Sequence, residues 1–149
     1  MLSTRRATDN DLAFLANSYL CTMRIHITAA RGFWDEAKER QQFRDQLRLD
    51  QTHIVKRSGI DVGFFMTVPC GEDIEIHTLC VAPEHQGQGI GTAITRLIVE
   101  EACAQKHGVI LSVLKVNTAA RSLYERVGFV VNGESTYHYR MRFVSPPQR

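Results

Sequence analysis

The chain has 149 residues and a formal net charge of +2 at pH 7, with acidic and basic side chains interspersed along its length. This length predicts a single domain, residues 1–149, with a substantial core. The dispersed charge argues against a nucleic-acid-binding protein, and no apolar run is long enough for a membrane span or a signal peptide. We therefore expect no nucleic-acid or membrane partner, and a cytoplasmic location.

The cysteines and histidines give no sign of a metal centre. Cys21, Cys70, Cys80 and Cys103 are widely spaced and form no CxxC pair. They are typical of reduced thiols rather than of a disulfide framework or a zinc site. His26, His53 and His107 are too scattered to hold a metal ion, so no metal site is predicted.

Periodicity and turn residues predict the element order βααβββαβαββ. In chain order these are a strand over 2–7, a helix through Leu12, Leu15 and Tyr19, a loop over 21–32, a helix over 33–49, strands over 53–57, 60–68 and 74–81, a helix from Ile90, a strand over 109–116, a helix over 117–127, strands over 129–131 and 137–144, and a loose tail over 145–149. Helices that interrupt strands predict a mixed sheet covered on both faces.

The stretch from Ile74 to Thr92 combines an apolar strand, a turn with a glycine at every second position, and an amphipathic helix. Pro83 ends the strand because it has no N–H to donate. Glycines allow the backbone of the turn to approach a ligand without a Cβ in the way. Free amides at a helix N-terminus bind anions, most naturally phosphate, so the stretch predicts a phosphorylated ligand.

Two common nucleotide motifs fit this turn poorly. A P-loop requires a Gly-Lys pair, and the chain has none. A Rossmann fingerprint counted from Gly87 places Thr92 at the third glycine position, and the strand over 109–116 has no acidic residue for a ribose.

The turn instead resembles motif A of the GNAT acetyltransferase superfamily, [QR]-x-x-G-x-[GA], through Gln86, Gly89 and Gly91. A second stretch, from Asn117 to Phe129, resembles the NxxAxxLYxxxGF signature of that family at every position. The separation of the motifs and the element order are also those of the family. The resemblance covers nearly the whole chain and is weakest over 20–49, where such enzymes shape the acceptor site.

The resemblance implies a mostly antiparallel, twisted α/β sheet of about seven strands with helices on both faces, and acetyl-CoA as co-substrate. The pantetheine arm would pair with main-chain groups of the 74–81 strand, and the amides of the turn would bind the pyrophosphate. The implied cofactor-binding residues are Leu79, Cys80, Val81, Gln86, Gly87, Gln88, Gly89, Ile90, Gly91, Thr92 and Asn117. Many relatives have arginines in this turn, whereas here backbone amides would supply most of the binding.

Tyr124 occupies the motif position to which the family assigns the general acid, which protonates the departing thiolate. The alternative is that Tyr124 only packs against the sheet. Glu75 and His77 are two positions apart, which predicts that they share a face of their strand with Leu79 and Val81. Either could accept the proton of an amine, and the alternative is a structural hydrogen-bonded pair.

The acceptor predicted from these features is a primary amine of a small molecule, or less favourably of a peptide. Relatives that acetylate protein N-termini carry a glutamate where this chain has Ser112, which counts against that acceptor. Glu75, His77 and Trp34 are candidate acceptor-binding residues, although a tryptophan is more often part of a core. The alternative function is a non-catalytic acyl-CoA-binding sensor or regulatory module. A monomer or a homodimer is expected.

Overall fold

A computed structural model describes residues 1–144, so the predicted tail over 145–149 lies outside the described residues. The strands are β1 (Leu2–Arg6), β2 (Thr52–Arg57), β3 (Ile60–Cys70), β4 (Asp73–Val81), β5 (Gly108–Leu114), β6 (Phe129–Glu134) and β7 (His138–Phe143). The helices are α1 (Leu12–Arg31), α2 (Glu36–Gln46), α3 (Ile90–Ala104) and α4 (Thr118–Val127). The predicted element order is confirmed.

The seven strands form one sheet in the order β1-β2-β3-β4-β5-β7-β6. Within residues 1–144, β4 and β5 form the one parallel pair, and all other neighbours are antiparallel. The predicted mixed, mostly antiparallel fold class is therefore confirmed. None of the described helices combines the length and the apolar character needed to cross a bilayer.

Two cores flank the sheet, as the predicted covering of both faces requires. On one face, Ile94 and Ile98 of α3 pack against Val109 and Leu111 of β5. On the other face, Leu15 of α1 and Phe43 of α2 pack against side chains of β2, β3 and β4. The second core covers only that half of the sheet, which leaves the corresponding face of β5, β7 and β6 outside it.

The predicted loop over 21–32 is wrong, because α1 continues to Arg31. Its β-branched and polar residues have weak intrinsic helix propensity, but burial of Ile27 stabilises the helix against the rest of the fold. Gly32, with a φ of 86°, then ends the helix in the left-handed conformation. As a result α2 starts later than predicted, at Glu36, and Asp35 caps it by accepting from the Lys38 amide at 3.1 Å.

A β-bulge in β4 corrects the prediction that Glu75 and His77 share a face with Leu79 and Val81. Thr78 pairs with Met66 while Ile76 pairs with Thr67, so His77 is an extra residue between the two pairs. The bulge breaks the two-residue alternation, and residues 74, 76, 79 and 81 all pack against the core beneath α3. Glu75 therefore lies on the opposite face from Leu79 and Val81.

The β4–β5 ladder is short. Only Asp73 to Ile76 pair with Gly108 to Leu111, and the remaining residues of the two strands are not paired with each other. Arg142 of β7 reaches across β5 to Asp73 with two hydrogen bonds of 2.9 Å. A Cβ at Gly108 would overlap both side chains, so the glycine leaves room for this ion pair to cross β5. The sheet is thus closed at one end of β4 and open at the other.

Candidate functional site

A cleft of about 330 Å³ lies where β4 and β5 separate. It extends from α4 through the open strands to the α1 and α2 side of the sheet. Residues from seven elements line it, including Tyr19, Thr22, Met23, Ile27, Arg31, Glu39, Phe43, Met66, His77, Leu79, Cys80, Ser112, Asn117, Tyr124 and His138. The open end of the ladder therefore brings together Leu79, Cys80, His77, Asn117 and Tyr124, which the sequence placed in the site.

Tyr124 lies on α4 with its ring packed edge-on against Phe129 at a centroid distance of 5.7 Å. Burial raises the pKa of the Tyr124 hydroxyl to about 12. Within residues 1–144 no side chain or carbonyl forms a hydrogen bond with that hydroxyl. Tyr124 is therefore both a packing residue and a protonated phenol in the wall of the cleft at neutral pH.

Asn117 begins α4 as its N-cap, and its side-chain oxygen accepts from the Ala120 amide at 3.2 Å. This use of the oxygen stabilises the helix that positions Tyr124. The side-chain NH₂ is the group left to donate into the cleft. The asparagine of the second motif therefore has a structural role that the sequence analysis did not assign.

The glycine turn leads into α3 as predicted. Gly87 and Gly89 have φ values of 76° and 79°, which only glycine adopts at low cost, and a Cβ on either would meet open space. Gly91 differs, because a Cβ there would lie 3.0 Å from Leu123 of α4. In the described chain the amides from Gly87 to Thr92 donate to no other residue, so the turn presents free N–H groups at the start of a helix.

The two glutamines of the turn are anchored by the rest of the fold. The Gln86 side chain donates to the Val81 carbonyl at 3.0 Å and to the Thr22 hydroxyl at 3.3 Å. Gln86 thus connects the turn to β4 and α1. The Val81 carbonyl, one of the main-chain groups predicted to pair with pantetheine, already accepts this hydrogen bond. Arg57, at the end of β2, donates to the Gln88 side chain.

Arg57 was missed by the sequence analysis, which found no arginine inside the turn. It is 31 positions from Gln88, and only the antiparallel course of β2, β3 and β4 brings the end of β2 next to the turn. Its guanidinium places a positive charge beside the free amides. No local sequence signal identifies such a residue.

The candidate bases lie in different places. His77 is exposed at the bulge and lines the cleft, with Nδ1 3.0 Å from the Thr78 hydroxyl. Glu75 lines a separate groove of about 360 Å³ with Asp73, Arg140 and Arg142. His138 of β7 lines the cleft, and burial, followed by the positive charge of Arg31, lowers its pKa. The cleft therefore contains two histidines, and the predicted pairing of Glu75 with His77 is not found within it.

The far side of the cleft is formed by α1 and α2. The Tyr19 and Phe43 rings lie 4.7 Å apart there, beside the buried carboxylate of Glu39. Cys80 has a buried thiol with a pKa raised to about 11, chiefly by burial, so it stays protonated. Trp34 is not part of this lining, and its indole N–H is buried with no partner among the described residues.

Comparison with known proteins gives a consistent family match. Residues 48–131, more than half of the chain, match the model described as the acetyltransferase (GNAT) domain. Over 70 residues the chain is 39% identical to the uncharacterized N-acetyltransferase YobR of Bacillus subtilis, covering 45% of this chain and 27% of that protein. It is also 39% identical over 70 residues to the N-alpha-acetyltransferase RimI of Mycobacterium tuberculosis, covering 46% of this chain and 42% of that protein. The matched segment thus spans less than half of either relative.

The solved structures support the fold. The PaiA N-acetyltransferase from Thermoplasma acidophilum, determined in complex with coenzyme A, superposes with a TM-score of 0.76. The match covers 96% of this chain and 98% of that chain at 16% identity. At that identity the likeness concerns the fold alone.

Proposed function

The chain belongs to the GNAT acetyltransferase family, and we propose that it transfers an acetyl group from acetyl-CoA to the primary amine of a small molecule. The observation that carries this proposal is the cleft at the open end of the β4–β5 ladder, with the protonated phenol of Tyr124 in its wall. A binding module needs an open strand edge but gains nothing from a partly buried proton donor beside it.

Several features of the chain fit acetyl-CoA. The free amides from Gly87 to Thr92 and the N-terminus of α3 suit the pyrophosphate, because both place positive partial charge at one point. Arg57 adds a full positive charge that the turn itself lacks. The unpaired edge of β4 at Leu79 and Cys80 suits an extended amide-containing arm. The Asn117 side-chain NH₂ is available to donate to the same ligand.

The co-substrate supplies an acetyl group activated as a thioester. Tyr124 donates its proton to the departing sulfur as the carbon–sulfur bond breaks, and a raised pKa keeps that proton in place until it is needed. His77 accepts the proton that the acceptor nitrogen loses as the new carbon–nitrogen bond forms. His138 is the second candidate for this role, because its lowered pKa favours the neutral, proton-accepting imidazole. Glu75 is a weaker candidate because it lies outside the cleft.

The acceptor is proposed to be a small amine rather than a protein N-terminus. The relative in M. tuberculosis is named for N-alpha acetylation, but Ser112 lines the cleft here where the N-terminal acetyltransferases that the chain resembles carry a glutamate. A hydroxyl cannot replace a carboxylate as a base near neutral pH.

The cytoplasmic location and the choice between monomer and homodimer stay predictions from the sequence.

The proposal is tested by mixing the purified protein with acetyl-CoA and a panel of small primary amines, and measuring free CoA thiol. Amine-dependent thiol release is expected, together with a thermal shift produced by acetyl-CoA alone. Tight cofactor binding without thiol release for any amine would favour the alternative function, a non-catalytic acyl-CoA-binding module. A thermal shift with NAD or ATP and none with acetyl-CoA would overturn the cofactor assignment.

A further inference from the structure

Glu39 is an unusual residue for the wall of this cleft. It lies on the inward face of α2, one turn before Phe43, and its side chain is only 10% exposed. A carboxylate is costly to bury unless a partner of opposite charge or hydrogen-bond donors compensate for its lost hydration. The position of Glu39 therefore raises the question of what compensates for its burial.

Within residues 1–144 the chain offers the Glu39 carboxylate only a distant cationic partner. The nearest cation in the described structure is Arg31, whose Nη1 lies 3.9 Å from Oε1 of Glu39. A charge-assisted hydrogen bond is about 2.7–2.9 Å long, so this pair is a through-space contact rather than a hydrogen bond. Arg31 is 40% exposed, and its guanidinium also lies 5.9 Å from the centre of the Tyr137 ring. Among residues 1–144 no other group donates to the Glu39 carboxylate.

The surroundings of Glu39 leave its negative charge available to a ligand. Tyr19 is beside it, and burial, followed by the charge of Glu39, raises the pKa of the Tyr19 hydroxyl. His138 has a lowered pKa and contributes no compensating positive charge at neutral pH. Most of the remaining wall is apolar, with Met23 and Ile27 of α1 and Met66 of β3 contributing to it. The cleft thus combines a mainly apolar lining with one buried carboxylate.

We propose that Glu39 binds a second, protonated amine at the far end of the acceptor, so that the preferred substrates are diamines with an apolar stem. The first amine of such a molecule reacts near Tyr124, and the second donates to Glu39 and supplies the hydrogen bonds that the chain does not. This inference rests on the proposed function for the reacting end, but the recognition by Glu39 is a binding property that can be measured without turnover.

Three probes with the same methylene stem test the proposal: cadaverine ends in an ammonium group, hexylamine in a methyl group and ε-aminocaproate in a carboxylate. Their binding to the CoA-loaded protein is measured by calorimetry, and their kcat/KM by thiol release. Glu39→Gln keeps the shape of the side chain and removes its charge. Glu36→Gln is the matched control, because Glu36 lies on the same helix but is exposed and outside the cleft.

Cadaverine is expected to bind more tightly than the other two probes, and Glu39→Gln is expected to weaken its binding by about tenfold or more, since a hydrogen bond to a charged group is lost. Hexylamine binding should change by less than about twofold, and Glu36→Gln should leave all three probes unchanged. Equal losses for cadaverine and hexylamine would overturn the proposal and make Glu39 a structural residue. Preferred binding of ε-aminocaproate would overturn it in favour of recognition by Arg31. Selective binding of cadaverine without any thiol release would instead contradict the proposed acetyl transfer and still support recognition of the second amine by Glu39.

Discussion

The two halves of β4 show how one strand can hold a sheet together and also open it. From Asp73 to Ile76 the strand pairs with β5, and the ion pair between Asp73 and Arg142 ties this half to β7 as well. From the bulge at His77 onward the strand pairs, within residues 1–144, with β3 alone, and the freed edge forms the wall of the cleft. The same backbone is structural in its first half and available to a ligand in its second.

The difference explains where the candidate residues are found. Glu75 lies in the closed half, where the strand edge is paired with β5, and its side chain lines the groove beside Arg140 and Arg142 rather than the cleft. The bulge marks the boundary, because it places His77 at the start of the open half. The open half is therefore expected to control turnover and ligand binding, whereas a change confined to the closed half should leave turnover almost unaffected.

The largest effect is expected for Tyr124→Phe, which removes the proton donor of the open half. Turnover should fall by about a hundredfold or more, because general acid catalysis commonly contributes that much. Calorimetry with CoA should show unchanged affinity, since the ring still packs on Phe129. Tyr139→Phe is the control, because Tyr139 packs against the same core without lining the cleft. Unchanged turnover in Tyr124→Phe would remove the assigned role.

A smaller loss is expected for His77→Gln, which removes the proposed base at the boundary between the halves. The kcat/KM of the preferred amine should fall about tenfold or more, because general base catalysis commonly contributes at least that much. His138→Gln is measured beside it. The pKa of His138 is lowered from the ordinary histidine value of about 6.5. If His138 were the base, kcat/KM would fall with pH only below that value. This decline would then be absent from His138→Gln, and the role assigned to His77 would be contradicted.

Gly63→Ala tests whether the open half of β4 depends on β3 for its position. A Cβ at Gly63 would lie 2.5 Å from the Cys80 carbonyl oxygen and 3.2 Å from the Val81 Cα, so the backbone of the open half must shift. We expect a loss of about 1–3 kcal/mol in the free energy of unfolding, measured by urea denaturation, with weaker CoA binding. Gly133→Ala is the matched control, because its Cβ would meet only the Arg140 side chain at ordinary distances.

The smallest effect is expected in the closed half, for Arg142→Gln. The hydrogen bonds from Arg142 lower the pKa of Asp73, so this pair stabilises the fold above the unfolded carboxyl pKa of about 3.9 and loses its contribution as pH falls through the lowered value. The variant should melt slightly lower at pH 7 and should depend less on pH in the acid range. Thermal melting across that range checks this, and turnover at pH 7 should hardly change. A large loss of turnover would contradict the division between the halves.

The sequence by itself determined the features that depend on neighbours along the chain. The element order follows from local periodicity, and the turn from Gly87 to Gly91 follows from glycines that allow positive φ. The helix between Asn117 and Gly128 likewise lies within one short segment that Gly128 ends. Each of these depends on residues close in sequence, so a motif can carry the information.

Only the tertiary structure decided the features that depend on partners far along the chain. The bulge at His77 arises from the register of β4 against β3, and the open ladder from where β5 stops pairing. Arg57 lies next to the turn because strand pairing brings the end of β2 there. Glu39 lines the cleft because α2 packs beside α1. The charge-rich sequence of α2 predicts that Glu36 and Glu39 are equally exposed to solvent. Only the packing of the helix buries Glu39 and leaves Glu36 exposed.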